Sequence, residues 1–215
     1  MTAPVSAQPV EQAGDLTPDA RPRLRVPAPS AWWVLISGVI GLVASMTLTI
    51  EKIEILLNPS YVPSCNINPI LACGSVMITP QASVLGFPNP LLGIVGFTVV
   101  LVTGVLAVAK VPLPQWYWAG LALGTLVGAV FVHWLIFQSL YRIGALCPYC
   151  MVVWVMTISL LVVIASVLSR PALERRESGA AELLYQWRWS IAALWFTAVI
   201  LLIMVRFWDY WSTLL

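Results

Sequence analysis

Five apolar runs fix what this chain can become: Ala31 to Ile50, Leu91 to Ala109, Trp116 to Leu140, Cys147 to Leu168 and Ser190 to Trp208. Each approaches or exceeds the ~20 residues that a helix needs to cross a bilayer. Only 9% of the residues are charged, against about 25% in a soluble domain. The runs therefore read as membrane spans, and the fold class is expected to be an all-α integral membrane protein. The first run is too long for the core of a signal peptide and follows too long a tail, so it reads as an uncleaved first helix. A net charge of +2, with the basic residues in short clusters, leaves no footprint for nucleic acid.

The connections set the organisation. Met1 to Ser30 is rich in Pro, Ala and Gln and is expected to be a disordered cytoplasmic tail. Glu51 to Pro88 is the sizeable polar connection between spans, with breakers at Asn58-Pro59, Pro63 and Asn68-Pro69 that impose turns. Within it, Cys73 to Val84 is expected to form a short helix, half-buried or lying on the membrane surface. Lys110 to Gln115 reads as a tight turn, and Trp116, Tyr117 and Trp118 as an interfacial aromatic belt. Gly120, Gly124 and Gly128 recur at every fourth position, a seam that lets a neighbouring helix approach closely. Residues 169–189 form a polar cytoplasmic linker, and residues 190–215 a fifth helix with a short C-terminus.

Orientation follows from the basic residues. With the N-terminus in the cytoplasm, Arg21, Arg23, Arg25, Lys110, Arg170, Arg175, Arg176 and Arg188 all fall on the cytoplasmic side, eight of the 11 Lys and Arg. The C-terminus and all four cysteines then lie outside the plasma (inner) membrane. That is the side where disulfides persist.

The cysteines form one wide pair, Cys65 and Cys73, and one tight pair, Cys147 and Cys150. With Cys147 as helix cap, Pro148 takes the first helical position, where its missing N–H costs nothing. Cys150 then lies on the same face as Cys147, within reach of a disulfide. The helix dipole favours the thiolate. The Cys147-Pro148-Tyr149-Cys150 tetrapeptide also occurs in soluble thioredoxin-like reductases, but those need an α/β sheet that this chain has no room to build. Thiol–disulfide exchange at a membrane surface is the expected chemistry. The loop pair can reach a water-borne protein, while the helix pair sits where a lipid-soluble carrier arrives. No pattern of metal or haem ligands is present to accept electrons, and a quinone is the natural two-electron acceptor soluble in lipid.

The stretch Cys65-Asn66-Ile67-Asn68-Pro69-Ile70-Leu71-Ala72-Cys73-Gly74-Ser75-Val76, followed by Gly86-Phe87-Pro88-Asn89-Pro90-Leu91-Leu92-Gly93 and then Cys147-Pro148-Tyr149-Cys150, resembles the vitamin K epoxide reductase family, closest to its actinobacterial members. The resemblance runs from about Ala31 to about Leu168, and the wide pair precedes the tight one, the reverse of the DsbB order. It implies a four-helix bundle around a quinone, capped by an extracytoplasmic loop and short helix, with the fifth helix peripheral. It also implies roles for individual residues. Cys65 would exchange with the partner protein and Cys73 would be its shuttle mate. Cys147 would exchange with Cys73, and Cys150 would lie against the quinone ring. Asn89 falls where the family hydrogen-bonds a quinone carbonyl, and Thr79 keeps a hydroxyl where many members have serine. Trp154 stands where vertebrate reductases have tyrosine, which bears against epoxide reduction more than against quinone reduction. Menaquinone is the expected quinone and ubiquinone the alternative. No thioredoxin-like domain is fused, so a separate DsbA-like or thioredoxin-like partner is expected.

His133, the sole histidine, sits in the outer half of the third span and is a candidate for quinone contact or proton transfer. It lies on the helix face away from the glycine seam. Two other readings stand beside the disulfide-generating one. The first is a quinone or quinone-epoxide reductase whose product is the reduced quinone. The second is a non-catalytic membrane protein with static disulfides or a structural zinc, although the wide spacing of Cys65 and Cys73 does not suit a zinc knuckle.

Overall fold

A computed structural model describes residues 23–174 and 179–213. Most of the expected tail, with Arg21, and the linker residues Arg175 and Arg176 lie outside the described residues. The architecture is all-helical: α1 (Ala28–Leu57), α2 (Cys73–Met77), a 3-10 turn (Pro80–Ser83), α3 (Pro90–Val108), α4 (Gln115–Phe137), α5 (Pro148–Glu174), α6 (Gly179–Arg206) and α7 (Trp208–Trp211). Five of these are long and apolar enough to cross a membrane. Prolines stand at the first helical positions of α3 and α5 and in the first turn of α1, where the backbone has no N–H bond to lose. Buried hydroxyls in the spans return to their own helix, as Thr103 Oγ1 does to the Val99 carbonyl at 2.7 Å and Thr157 Oγ1 to Val153 at 2.8 Å. Exceptions remain among the described residues: Ser37 Oγ and the indole N–H groups of Trp118 and Trp154 are buried in the spans without a partner.

Several boundaries differ from the sequence reading. Helix α1 begins at Ala28, and just before it Arg23–Leu24 pairs antiparallel with Leu113–Pro114, so order reaches into the stretch assigned to the tail. At the other end α1 continues through Glu51 and Lys52 to Leu57, because no breaker intervenes before Asn58-Pro59. The short helix expected over Cys73 to Val84 is two pieces, because Pro80 cannot donate into a continued α-helix. Helix α4 widens after Phe137 into a π-helical stretch, Gln138–Ile143, that ends at Gly144.

Helices α1 and α3 make the tightest interface. A methyl group on Gly38 would lie 2.7 Å from Leu101 Cα, and one on Gly104 would lie 2.5 Å from Leu35 Cα. Only bare backbone lets the two axes come so close. Helix α5 packs across α1 and α4, and a core of Val34, Phe97, Trp118, Leu160 and Ile164 fills the end of the bundle away from the cysteines. By contrast, α3 and α4 scarcely touch although a short turn joins them. The Thr103 and Tyr117 hydroxyls, 2.6 Å apart, bridge them near that turn, and beyond it they part.

The fifth long helix does more than lie alongside. It packs on α5, and Ile203 and Phe207 join a buried cluster with Leu140, Leu146 and Trp154. Arg206 Nε donates to the Leu140 carbonyl at 3.0 Å, an acceptor in the π-helical stretch.

Candidate active site

The site is assembled by the main chain before any thiol takes part. Asn68 Oδ1 accepts from the Ile70 and Leu71 N–H groups at 3.0 and 2.7 Å, a local turn that reverses the loop after Pro69. Across from it, Gly144 takes φ +71°, a left-handed conformation that releases the π-helical stretch into Ala145 and Leu146. The two segments then meet as a single parallel bridge between Leu71 and Leu146. Leu146 N donates to the Ile70 carbonyl at 2.7 Å, and Ala72 N to the Leu146 carbonyl at 2.9 Å. Cys147 follows Leu146 directly, and Cys73 comes two residues after Leu71.

Cys73 is bonded to Cys65, with their Cα atoms 5.6 Å apart, while Cys147 and Cys150 are free thiols. Cys147 Sγ lies 2.9 Å from Cys73 Sγ. Cys147 directly precedes α5, and its carbonyl accepts the first helical bond, from Met151 N at 3.0 Å. Its thiol is held below the ordinary thiol range, first by a hydrogen bond from the Cys150 thiol and further by the Cys150 and Tyr149 backbone N–H groups at the helix start. Burial and the Glu51 carboxylate oppose this without reversing it. Three sulfurs, those of Cys65, Cys73 and Cys147, lie within 4.8 Å of one another. Two of them share a disulfide and so offer no thiolate to a metal. Their closeness suits exchange.

The expectation that the loop pair stands in reach of a soluble protein needs correction for this state. Cys65 is 4% exposed and Cys73 fully buried. Ser64, just before Cys65, donates through Oγ (2.5 Å) and N (3.3 Å) to Glu51 Oε1. Asn66 Oδ1, just after it, accepts from Gly74 N at 2.9 Å. The loop is latched on both sides of the cysteine.

Beneath the thiols, α1, α3, α4 and α5 enclose a cavity of about 550 Å³, open where α3 and α4 part. Its wall is largely apolar and carries Cys150. Here the glycine seam acquires a different meaning from the one expected. A methyl on Gly96, Gly120 or Gly124 would meet nothing within 4 Å, and one on Gly128 only the Thr157 methyl at 3.6 Å. These glycines line the cavity instead of receiving a helix. They make a broad, smooth trough.

The expected contact residues divide. Asn89, Thr79 and Trp154 are all on the cavity wall. Asn89 precedes α3 but makes no side-chain cap. Its Oδ1 accepts from Val84 N at 3.0 Å and its Nδ2 donates to the Gln81 carbonyl at 2.7 Å, leaving one amide hydrogen. Thr79 Oγ1 donates to the Val76 carbonyl at 2.7 Å, which leaves the oxygen only lone pairs to offer. Trp154 is buried, and its indole N–H has no partner among the described residues. His133 is not brought to the cavity. Trp195 Nε1 of α6 donates to its Nε2 at 2.8 Å, so the proton sits on Nδ1, which donates to the Ala129 carbonyl at 2.7 Å. Both ring nitrogens are occupied by the scaffold.

Two functional neighbours escaped the sequence reading. Glu51 and Lys52 were assigned to the polar loop, yet both are buried on the last turns of α1. The absence of a breaker before Asn58 was the signal. The chain matches the vitamin K epoxide reductase family over residues 32–165, from the first turn of α1 well into α5. No curated protein matches it.

Proposed function

The chain belongs to the vitamin K epoxide reductase family, and from that premise we propose that this membrane oxidoreductase draws electrons from a separate DsbA-like or thioredoxin-like dithiol on the extracytoplasmic side and passes them to a quinone. The observation that carries the reading is the 2.9 Å approach of Cys147 to Cys73, with Cys150 on the wall of an apolar cavity. The cavity suits a flat, lipid-soluble head group. Its volume falls within the usual ligand range, and its glycine trough leaves room where side chains would fill it. The spare Asn89 amide hydrogen and the unpartnered Trp154 indole N–H belong to wall residues and are donors of the type a quinone carbonyl accepts. The gap between α3 and α4 is the natural entrance from the lipid.

A bound quinone supplies the two-electron acceptor. The chain's own sulfurs do the rest in balanced exchanges. A partner thiolate attacks Cys65, the Cys65–Cys73 bond breaks, and Cys73 leaves as thiolate. The partner's second thiolate then displaces Cys65, and the partner departs oxidised. Next, Cys73 attacks Cys147 of an oxidised helix pair, releasing Cys150, and Cys65 attacks Cys73, releasing Cys147. The depressed pKa of Cys147 makes it the easier leaving thiolate in that step. The described state, with the loop pair bonded and the helix pair free, is the one that follows. Cys147 and Cys150 then re-form their disulfide, giving up two electrons and two protons. Because Cys65 is covered, entry of the partner requires Tyr61 to Asn66 to lift and the Glu51–Ser64 bonds to break.

The test is quinone reduction by the detergent-solubilised protein with a reduced DsbA-like donor, using menaquinone and ubiquinone head groups in parallel. Turnover is expected, and Cys150→Ser is expected to abolish it. A Cys150→Ser variant that still turns over removes this cysteine from the path. Accumulation of quinol without oxidation of any partner in cells would favour the quinone-reductase reading instead.

A further inference from the structure

Among the described residues, one side chain on the cavity wall carries a charge, and it is Lys52. It is 8% exposed and sits on α1 one turn beyond Leu48. An ionisable group buried at the edge of an apolar interior is costly to keep there and points to function. Its Nζ donates to the Met77 carbonyl, at the end of α2, at 2.6 Å. An ammonium has three hydrogens, so two remain. Glu51, next in sequence, turns instead to Ser64, and no carboxylate of the described residues faces Lys52. Leu48 and Met77, which flank the ammonium, belong to the buried cluster of Cys73 and Cys147, with Cys150 packed against it. Lys52 therefore stands at the thiol end of the cavity, with two ammonium hydrogens to spare.

Resting on the quinone reading above, we propose that Lys52 is a catalytic residue that donates a proton to the quinone oxygen reduced from Cys150. An electron pair arriving in an apolar cavity builds negative charge on that oxygen, and a cation already in place stabilises it without reorganisation. As a general acid it also neutralises the charge. The balance closes within the chain. Two thiols, Cys147 and Cys150, lose two electrons and two protons to become a disulfide. Lys52 gives one proton to the quinone and is recharged by one thiol proton, and the other thiol proton completes the quinol.

The bond to Met77 gives Lys52 a second, purely structural duty as a cap on α2, and the test separates the two. Lys52→Gln keeps an N–H for Met77 and removes the charge, while Lys52→Arg keeps the charge. For each variant three quantities are measured in detergent. They are the unfolding temperature, the quenching of tryptophan fluorescence by added menaquinone (Trp116 and Trp154 stand on the cavity wall), and the single-turnover oxidation of the Cys147/Cys150 dithiol. Lys52→Gln is expected to unfold at the wild-type temperature and to bind quinone within about threefold. Its dithiol oxidation should slow about 100-fold, the scale of one general acid, with Lys52→Arg recovering part of the rate. A Gln variant oxidised as fast as wild type overturns the proposal. So does an equal loss in both variants together with lowered unfolding temperatures, which would leave Lys52 a cap. Wild-type dithiol that quinone does not oxidise brings down the quinone reading itself, a result the variants cannot mimic.

Discussion

Two faces of α3 carry glycines, and they do opposite work. Toward α1, bare backbone at Gly104 meets Leu35, and Gly38 of α1 meets Leu101 in return, so the two helices lock. Toward the cavity, Gly96 shares the wall with Gly120 and Gly124 of α4, and a side chain on any of the three would meet only space. The same residue type closes one gap and holds another open. Small residues at every fourth position say that the backbone is bare, and only the rest of the fold says what covers it. Here the covered face makes the bundle rigid and the uncovered face makes it hollow, beside Cys150.

The contrast can be broken by adding carbon to each face. Gly104→Ala drives a methyl into the Leu35 backbone, which cannot yield as a side-chain tip can. It should cost about 3 kcal/mol, at the upper end of overpacking, and show as a lowered unfolding temperature. A wild-type melting curve would mean that α1 and α3 are not locked. Gly124→Leu should leave the melt unchanged while filling the trough, lowering quinone turnover about tenfold or more chiefly through KM. Unaltered turnover would place the acceptor elsewhere. On the thiol side of the same cavity, Cys150→Ala removes the hydrogen bond that chiefly depresses the Cys147 pKa. The thiolate is the reactive form, so alkylation of Cys147 at pH 7 should slow and its pH midpoint should move up. A midpoint that stays or falls contradicts that assignment. Arg206→Met removes the donor to the Leu140 carbonyl. It should destabilise by about 1 kcal/mol and speed amide exchange around Gly144, with Arg206→Lys intermediate. The smallest effect belongs to Gly120→Ala, expected to stabilise by roughly 0.5–1 kcal/mol as a helix former replaces glycine in open space.

What could be read in advance was what is local in sequence. The spans are windows of about 20 apolar residues, and the spacing of Cys147 and Cys150 on a helix start is a matter of four consecutive residues. Both were legible. Glu51 and Lys52 were not, because charges after an apolar run look like entry into a loop, and their burial depends on a cap folded from residues further on. The glycine seam of α4 was seen but given the wrong neighbour, for the reason above. His133 carried the right general signal, a polar ring within a span, yet its hydrogen-bonding capacity is taken up by Trp195 of the fifth helix and by its own helix. The bridge of Leu71 to Leu146 left no mark at all. It joins segments whose cysteines are 74 residues apart, and it uses only main-chain atoms.

That bridge bears on how the protein is made. A growing chain delivers Cys65 and Cys73 together, and their bond closes a loop with a sequence separation of only 8. Cys147 follows only after two further spans have been synthesised, and the bridge that seats it against Cys73 cannot form before then. Order of synthesis thus keeps the early thiols from pairing with the late ones, since each finds its intended neighbour first. Electrons would then enter through the pair made first and leave through the pair made last.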